Sequence, residues 1–148
     1  MIDSYFSKPN PFTCLWSIDS DVIDHYGHVN NVAYVKQLEV TAWRHSNELG
    51  LTIAAYQQVD RGMAIIEHHI KYLGAVLEND HIICATWITH CDKRLTLTRY
   101  FEFYSKAKQK IILKAETKFA CIALSSGKPK KMPELFVAPY FAEMLRQC

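Results

Sequence analysis

The residues best equipped for chemistry lie in the run Asp24-His25-Tyr26-Gly27-His28-Val29-Asn30-Asn31. A carboxylate, a turn-forming glycine and an imidazole stand there directly before a segment with helical spacing. The first amides of a helix have no intrahelical acceptors and carry the positive end of its dipole. Such donors polarise a carbonyl oxygen, while a carboxylate beside them attacks the carbonyl carbon or activates water. These are the two requirements of acyl transfer. Asp24 and the amide near Asn31 are the candidates for those roles, with His28 next to them. The same residues also describe an Asx turn followed by a capped helix, and spacing alone leaves both open.

Other groups compete for a role. Glu39 follows Leu38 beside the Val35 and Ala42 stripe of the same helix, which predicts a partly buried carboxylate. It is the rival to Asp24 as a base, or else a structural group that orients the loop. Glu67, His68 and His69 suggest a metal cluster, but neighbouring strand residues point to opposite faces, so the two imidazoles cannot chelate one ion. No H-E-x-x-H or cysteine-histidine spacing supports zinc, and neither metal nor cofactor is expected. Lys128, Lys130 and Lys131 form a cationic turn suited to the phosphates of a mobile anion, or simply to solvent. Tyr100, Phe101, Phe103 and Tyr104 read as core and interface, with one ring available to line a tunnel.

The elements that must position these groups are set by periodicity. Phe12, Cys14, Trp16 and Ile18 alternate with polar residues, a strand interrupted only by Leu15. Asp19 to Asn30 is rich in Asp, Ser, Gly, His and Asn and reads as a loop, with Asn30 as the cap of a helix. From Asn31, Val35, Leu38, Ala42 and Leu49 fall on one helical stripe, which Gly50 closes. Strands are then predicted at 61–72, 81–91, 95–105 and 110–124, with turns at Asn79-Asp80 and Cys91-Asp92-Lys93. No further helical pattern intervenes until Pro139, which opens a short final helix through Arg146. In the last strand Ile111, Leu113, Ala115, Phe119 and Cys121 are predicted on one face and Lys114, Glu116 and Lys118 on the other. This order gives an α+β class with a mostly antiparallel five-stranded sheet. One helix cannot cover both faces of such a sheet. Either the sheet curls around the helix, or another subunit buries the second face, or both.

Composition narrows the classes. The chain has 148 residues, 49% hydrophobic and 22% charged, which suits a single globular domain over 1–148 with its own core. A formal charge of +2 argues against nucleic acid as a partner. The five cysteines are odd in number and scattered without a C-x-x-C pair, which fits a reducing compartment. The first residues, MIDSYFSKPNPF, lack the layout of a secretion signal, and no run approaches the roughly 20 apolar residues of a membrane span. A cytoplasmic protein is therefore expected.

The stretch D-H-Y-G-H-V-N-N-V-A-Y, with Glu39 following on the helix, resembles the signature of 4-hydroxybenzoyl-CoA thioesterase-like hotdog proteins, which include acyl-CoA and plant acyl-carrier-protein thioesterases. The strand order over nearly the whole chain and the later K-P-K-K-M-P at 128–133 resemble the same family. The resemblance implies a hotdog fold, an antiparallel five-stranded sheet wrapped around one long helix. It implies a homodimer or homotetramer in which sheets join edge to edge and active sites lie between subunits. The implied activity is hydrolysis of an acyl-CoA or acyl-ACP thioester to free acid and thiol. Asp24 matches the family's catalytic aspartate, as nucleophile or general base, and Asn31 the position whose backbone N–H faces the thioester carbonyl. His28 matches a histidine that contributes to catalysis in some branches and shapes the loop in others. Tyr26, Gly27, Tyr34, Lys128 and Lys130 are the expected substrate contacts; the plant enzymes carry asparagine at the place of Tyr26. Two alternatives share this architecture: hydration or dehydration of an acyl thioester by Asp24 and His28, and non-catalytic binding of an acyl thioester.

Overall fold

The computed structural model of the protein describes residues 2–147. Five strands, β1 (Phe12–Ser17), β2 (Arg61–Tyr72), β3 (His81–Cys91), β4 (Thr96–Ser105) and β5 (Lys110–Ala123), form one antiparallel sheet in the order β1-β3-β4-β5-β2. The long helix α1 (Asn31–Glu48) crosses one face. Its buried stripe of Ala33, Tyr34 and Leu38 meets Cys14 of β1, Ile82 and Cys84 of β3, Phe101 and Phe103 of β4, and Leu113 and Ala115 of β5. Four strands thus close on one helix, the wrapped arrangement that the resemblance implies.

Alternation sets each strand's two faces, and β-bulges reset it. In β2, Met63 and Ile65 pair with Cys121 and Phe119, but Glu67 pairs with Lys118, so Ile66 is an extra residue. Beyond it the even positions face the helix: Ile70 packs in the main core and His68 bonds to Thr117 across the strand at 2.8 Å. A second bulge at Ile112 corrects the prediction for β5. Phe103 pairs with Leu113 but Tyr104 with Ile111, which leaves Ile112 and Leu113 fully buried and turns Ile111 to the opposite face beside Tyr104.

That outer face is partly covered by a segment for which no role was predicted. Phe6 packs with Ile83, Ala85 and Trp87, Tyr5 stacks on Tyr104 at 4.1 Å, and the Trp87 indole donates to the Pro9 carbonyl at 2.9 Å. This cover explains why β3 reads as almost continuously buried.

Two helical predictions are also corrected. A six-residue helix α2 (Ile53–Gln58), capped by Thr52, lies where none was expected; it buries Tyr56 alone and is too short to show a period. The last helix, α3 (Glu134–Leu145), begins five residues before Pro139, which lies inside it. Pro139 removes one amide of the ladder. Burial of Phe136, Val137 and Tyr140 at helical spacing holds the helix across that gap. Cys14, Cys84, Cys91 and Cys121 are buried free thiols, and Cys148 lies outside the described residues. No helix among the described residues is long and apolar enough to cross a membrane.

Candidate active site

The loop before α1 is a tight reversal. Ile23 and Val29 form an isolated bridge, and the Asp24 N–H donates to the His28 carbonyl at 2.8 Å. Gly27 takes the left-handed conformation at φ 80°, which only glycine adopts without strain. Asp24 is half-buried, and its Oδ1 accepts the amides of Tyr26 at 2.9 Å and His28 at 3.3 Å. The carboxylate is therefore held by one oxygen, with Oδ2 left for another partner.

Asn30 ties this loop to the helix. Its Nδ2 donates to the Val22 carbonyl at 3.0 Å, while its Oδ1 caps α1 by accepting the Ala33 amide at 2.8 Å. The amides of Asn31 and Val32 remain as open donors of the first turn. The Tyr72 hydroxyl donates to Asn31 Oδ1, which fastens the end of β2 to the start of α1. Around this junction His28 is exposed, and the apolar surfaces of Tyr26 and Val32 stand 75% and 74% exposed.

A cavity of about 340 Å³ runs beside α1 between the helix and β2, β4 and β5. Val35, Leu38, Ala42, Leu97, Phe101 and Phe119 give it apolar walls. Glu39 lines it too, but as an exposed residue, which corrects the expectation of partial burial. His68 joins it from β2, the side on which the Ile66 bulge turns it. Asp24, His28 and Asn31 lie outside the cavity. Val35, its first helical wall residue, is one turn beyond Asn31, about 6 Å along the axis.

The cavity is polar at its other end, where Ser46, Tyr56, Arg99 and Tyr140 line it. Arg99 is 2% exposed and donates from Nη1 to His45 Nδ1 at 2.8 Å. A guanidinium only donates, so Nδ1 is the bare nitrogen of the ring, and Nε2–H donates to Glu143 Oε1 at 2.7 Å. Burial, and then the charge of Arg99, lower the His45 pKa to about 4 against the opposing bond to Glu143. The Tyr140 hydroxyl meets those of Ser46 at 2.9 Å and Tyr56 at 2.5 Å. None of this network was anticipated. The available signal was an arginine on the inward phase of a strand, between Leu97 and Phe101, with His45 continuing the stripe of Leu38 and Ala42.

The remaining predicted contacts lie elsewhere. Tyr34 is a core residue, wedged against the rings of Trp16 and Tyr72, and burial foremost raises its pKa to about 12. Lys128 and Lys130 are exposed. Their turn leaves β5 beyond Ala123, the partner of Arg61, whereas Tyr72 beside Asn31 pairs with Leu113. Those positions on β5 are ten residues apart, roughly 33 Å of strand. Within one chain the lysines are remote from Asp24.

A family model for the thioesterase-like superfamily matches residues 19–140. The chain belongs to this superfamily. Among solved structures, the thioesterase-like chain is similar to a Staphylococcus aureus hypothetical protein in complex with CoA, at TM-score 0.87 and 18% identity over 97% of this chain and 89% of that one. It is similar to a 1,4-dihydroxy-2-naphthoyl-CoA thioesterase from Synechocystis, at TM-score 0.79 and 16% identity over 89% and 96% of the two chains. An acyl-ACP thioesterase from Bacteroides thetaiotaomicron matches at TM-score 0.74 and 21% identity, over 81% of this chain and 49% of that one. These likenesses establish the hotdog fold for this superfamily member. None of the curated proteins compared matches it.

Proposed function

We propose that this superfamily member hydrolyses an acyl thioester of coenzyme A or acyl carrier protein to the free acid and the thiol. The observation that carries this is the junction of loop and helix: Asp24, anchored through Oδ1 by two amides, sits in the loop that leads into the open donors of α1. The thioester carbonyl oxygen rests against the Asn31 and Val32 amides, which stabilise the negative charge that develops on it. Either Asp24 takes the proton of a water that attacks the carbonyl carbon, or its carboxylate attacks that carbon itself. The C–S bond then breaks, and the thiolate leaves without a strong general acid. In the second case water afterwards hydrolyses the acyl-aspartyl anhydride to the free acid. The acyl chain runs along α1 into the apolar cavity. The CoA-bound and thioesterase structures of the same fold support this assignment.

A second copy of the chain completes the site in this proposal. β2 is an edge strand of twelve residues, with Ile65, Ile66 and Tyr72 all close to half exposed or more. Unpaired edges of that length are normally covered. Antiparallel pairing of two β2 strands about a two-fold axis carries the start of one past the end of the other. Lys128 and Lys130 of the partner subunit then approach the Asn31 end, where the phosphates of coenzyme A would project.

The test is thiol release from acyl-CoAs by Asp24→Asn and Asp24→Ala. Loss of about a hundredfold or more in kcat is expected, and wild-type rates in both variants overturn the role of Asp24. One observation favours a second assignment, since Glu39 and not Asp24 lines the cavity. Collapse of turnover in Glu39→Gln with activity retained in Asp24→Asn would make Glu39 the base. Formation of an enoyl product without thiol release would identify a hydratase or dehydratase instead.

A further inference from the structure

We propose that the cavity selects acyl chains whose far end carries an oxygen acceptor, a hydroxyl or a carboxylate, and that Arg99 is the selecting residue. This rests on the hydrolysis assignment only for the place of the thioester. Arg99 stands beside Ser46, Tyr56 and Tyr140 at the polar end of an otherwise largely apolar cavity, and it is almost wholly buried. Its Nη1 and Nη2 reach neutral acceptors only: His45 Nδ1 at 2.8 Å, Thr86 Oγ1 at 3.4 Å and Ser46 Oγ at 3.4 Å. The carboxylate of Glu143 is joined to it through the neutral ring of His45. Its Nε has no acceptor at all, alone among the buried side-chain polar atoms of the described residues. A buried charge without a direct counter-ion and with a spare donor is costly unless something completes it. The cavity opens onto this residue.

The lining changes character along its length in the same sense. Val35, Leu38 and Ala42 suit methylene groups, whereas Ser46, Tyr140 and Arg99 at the far end suit oxygen. A methyl terminus there would leave the guanidinium short of an acceptor. A terminal hydroxyl or carboxylate would accept from it.

Reach sets which chains feel this residue. From Asn31 to Ser46 is fifteen residues of α1, about 22 Å. An extended chain advances about 1.2 Å per backbone atom, so roughly 18 chain atoms connect the helix start to Arg99. Short acyl groups stop before it.

The experiment compares matched CoA thioesters on the full chain: hexadecanoyl against 16-hydroxyhexadecanoyl and the mono-CoA ester of hexadecanedioic acid, with hexanoyl against 6-hydroxyhexanoyl as the short pair. Both kcat/KM for thiol release and calorimetric binding of the corresponding non-hydrolysable thioethers are measured. The oxygen-ended long chains are expected to be favoured about tenfold or more, as hydrogen bonds to a charged group usually are, with no preference in the short pair. Arg99→Met is expected to bring the long-pair ratio down toward one. The wild-type ratios decide the matter even if that variant does not fold. Equal or better handling of the methyl-ended long chains in both turnover and binding overturns the proposal. Binding that prefers the oxygen-ended thioethers without thiol release from any ester upholds it and sinks the hydrolysis assignment instead.

Discussion

His45 makes the stability of this protein depend on pH in a range where carboxylates do not. Its ring is 3% exposed, accepts from Arg99 and donates to Glu143, an arrangement that exists only while the ring is neutral. Burial and the neighbouring guanidinium lower its pKa from 6.5 to about 4. Between those values the unfolded chain binds a proton that the native state refuses, so acidification favours unfolding. The native advantage is complete above pH 6.5 and is lost as pH falls toward 4. A displacement of about 2.5 in pKa at 1.36 kcal/mol each corresponds to about 3 kcal/mol in full. About 2 kcal/mol of it is already lost at pH 5. Glu143 enters lower down: burial works to raise its pKa, yet bonds from Arg146 and His45 hold it below the ordinary carboxylate range. Urea denaturation at pH 7.5 and 5.0 reads the His45 contribution, as a fall in midpoint of about 1 M at an m-value of about 2 kcal/mol/M. His45→Gln should be less stable at neutral pH and should lose most of that fall. A flat wild-type response, or an equal fall in His45→Gln, would refute the assignment of a neutral buried imidazole.

Three further outcomes are expected. Asn30→Ala removes the cap of α1 and the tie to Val22, which should cost about 1 kcal/mol of stability, read as a lowered urea midpoint, and lower thiol release by disturbing the Asn31 amide. Ile66→Asp places a charge on the exposed edge strand; light scattering should show a monomer and turnover should fall with it, whereas an unchanged oligomer rules out pairing through β2. Phe103→Ala empties a fully buried position against Trp16 and Phe101, with an expected loss of about 3 to 5 kcal/mol in thermal or urea unfolding.

What the sequence discloses and what it conceals divide along physical lines. Strand positions, the long helix, its Asn30 cap and the glycine turn depend on near neighbours, and all are legible in local spacing. The Ile66 and Ile112 bulges are not, because one extra residue is visible only against the partner strand. For that reason Ile111 changes face and His68 turns toward the helix. α2 escapes notice because it buries Tyr56 alone, and the extent of α3 because Pro139 reads as a helix start. The candidate site divides in the same way. Asp24, Asn30 and Asn31 are contiguous and their pattern is plain, whereas Arg99, His45 and Glu143 come from three distant elements, and nothing in the sequence around each announces the others.

The extra residue in β2 bears on how copies of this chain can associate. A flat edge of twelve residues would be a template for stacking strand after strand without limit. The kink at Ile66 breaks it into two shorter ladders with a sharpened coil between them. A mate with the same kink, related by a dyad, can match both halves at once, and a random strand cannot. In the β2 pairing proposed above, the flaw in the ladder thereby favours a closed pair over an endless fibre.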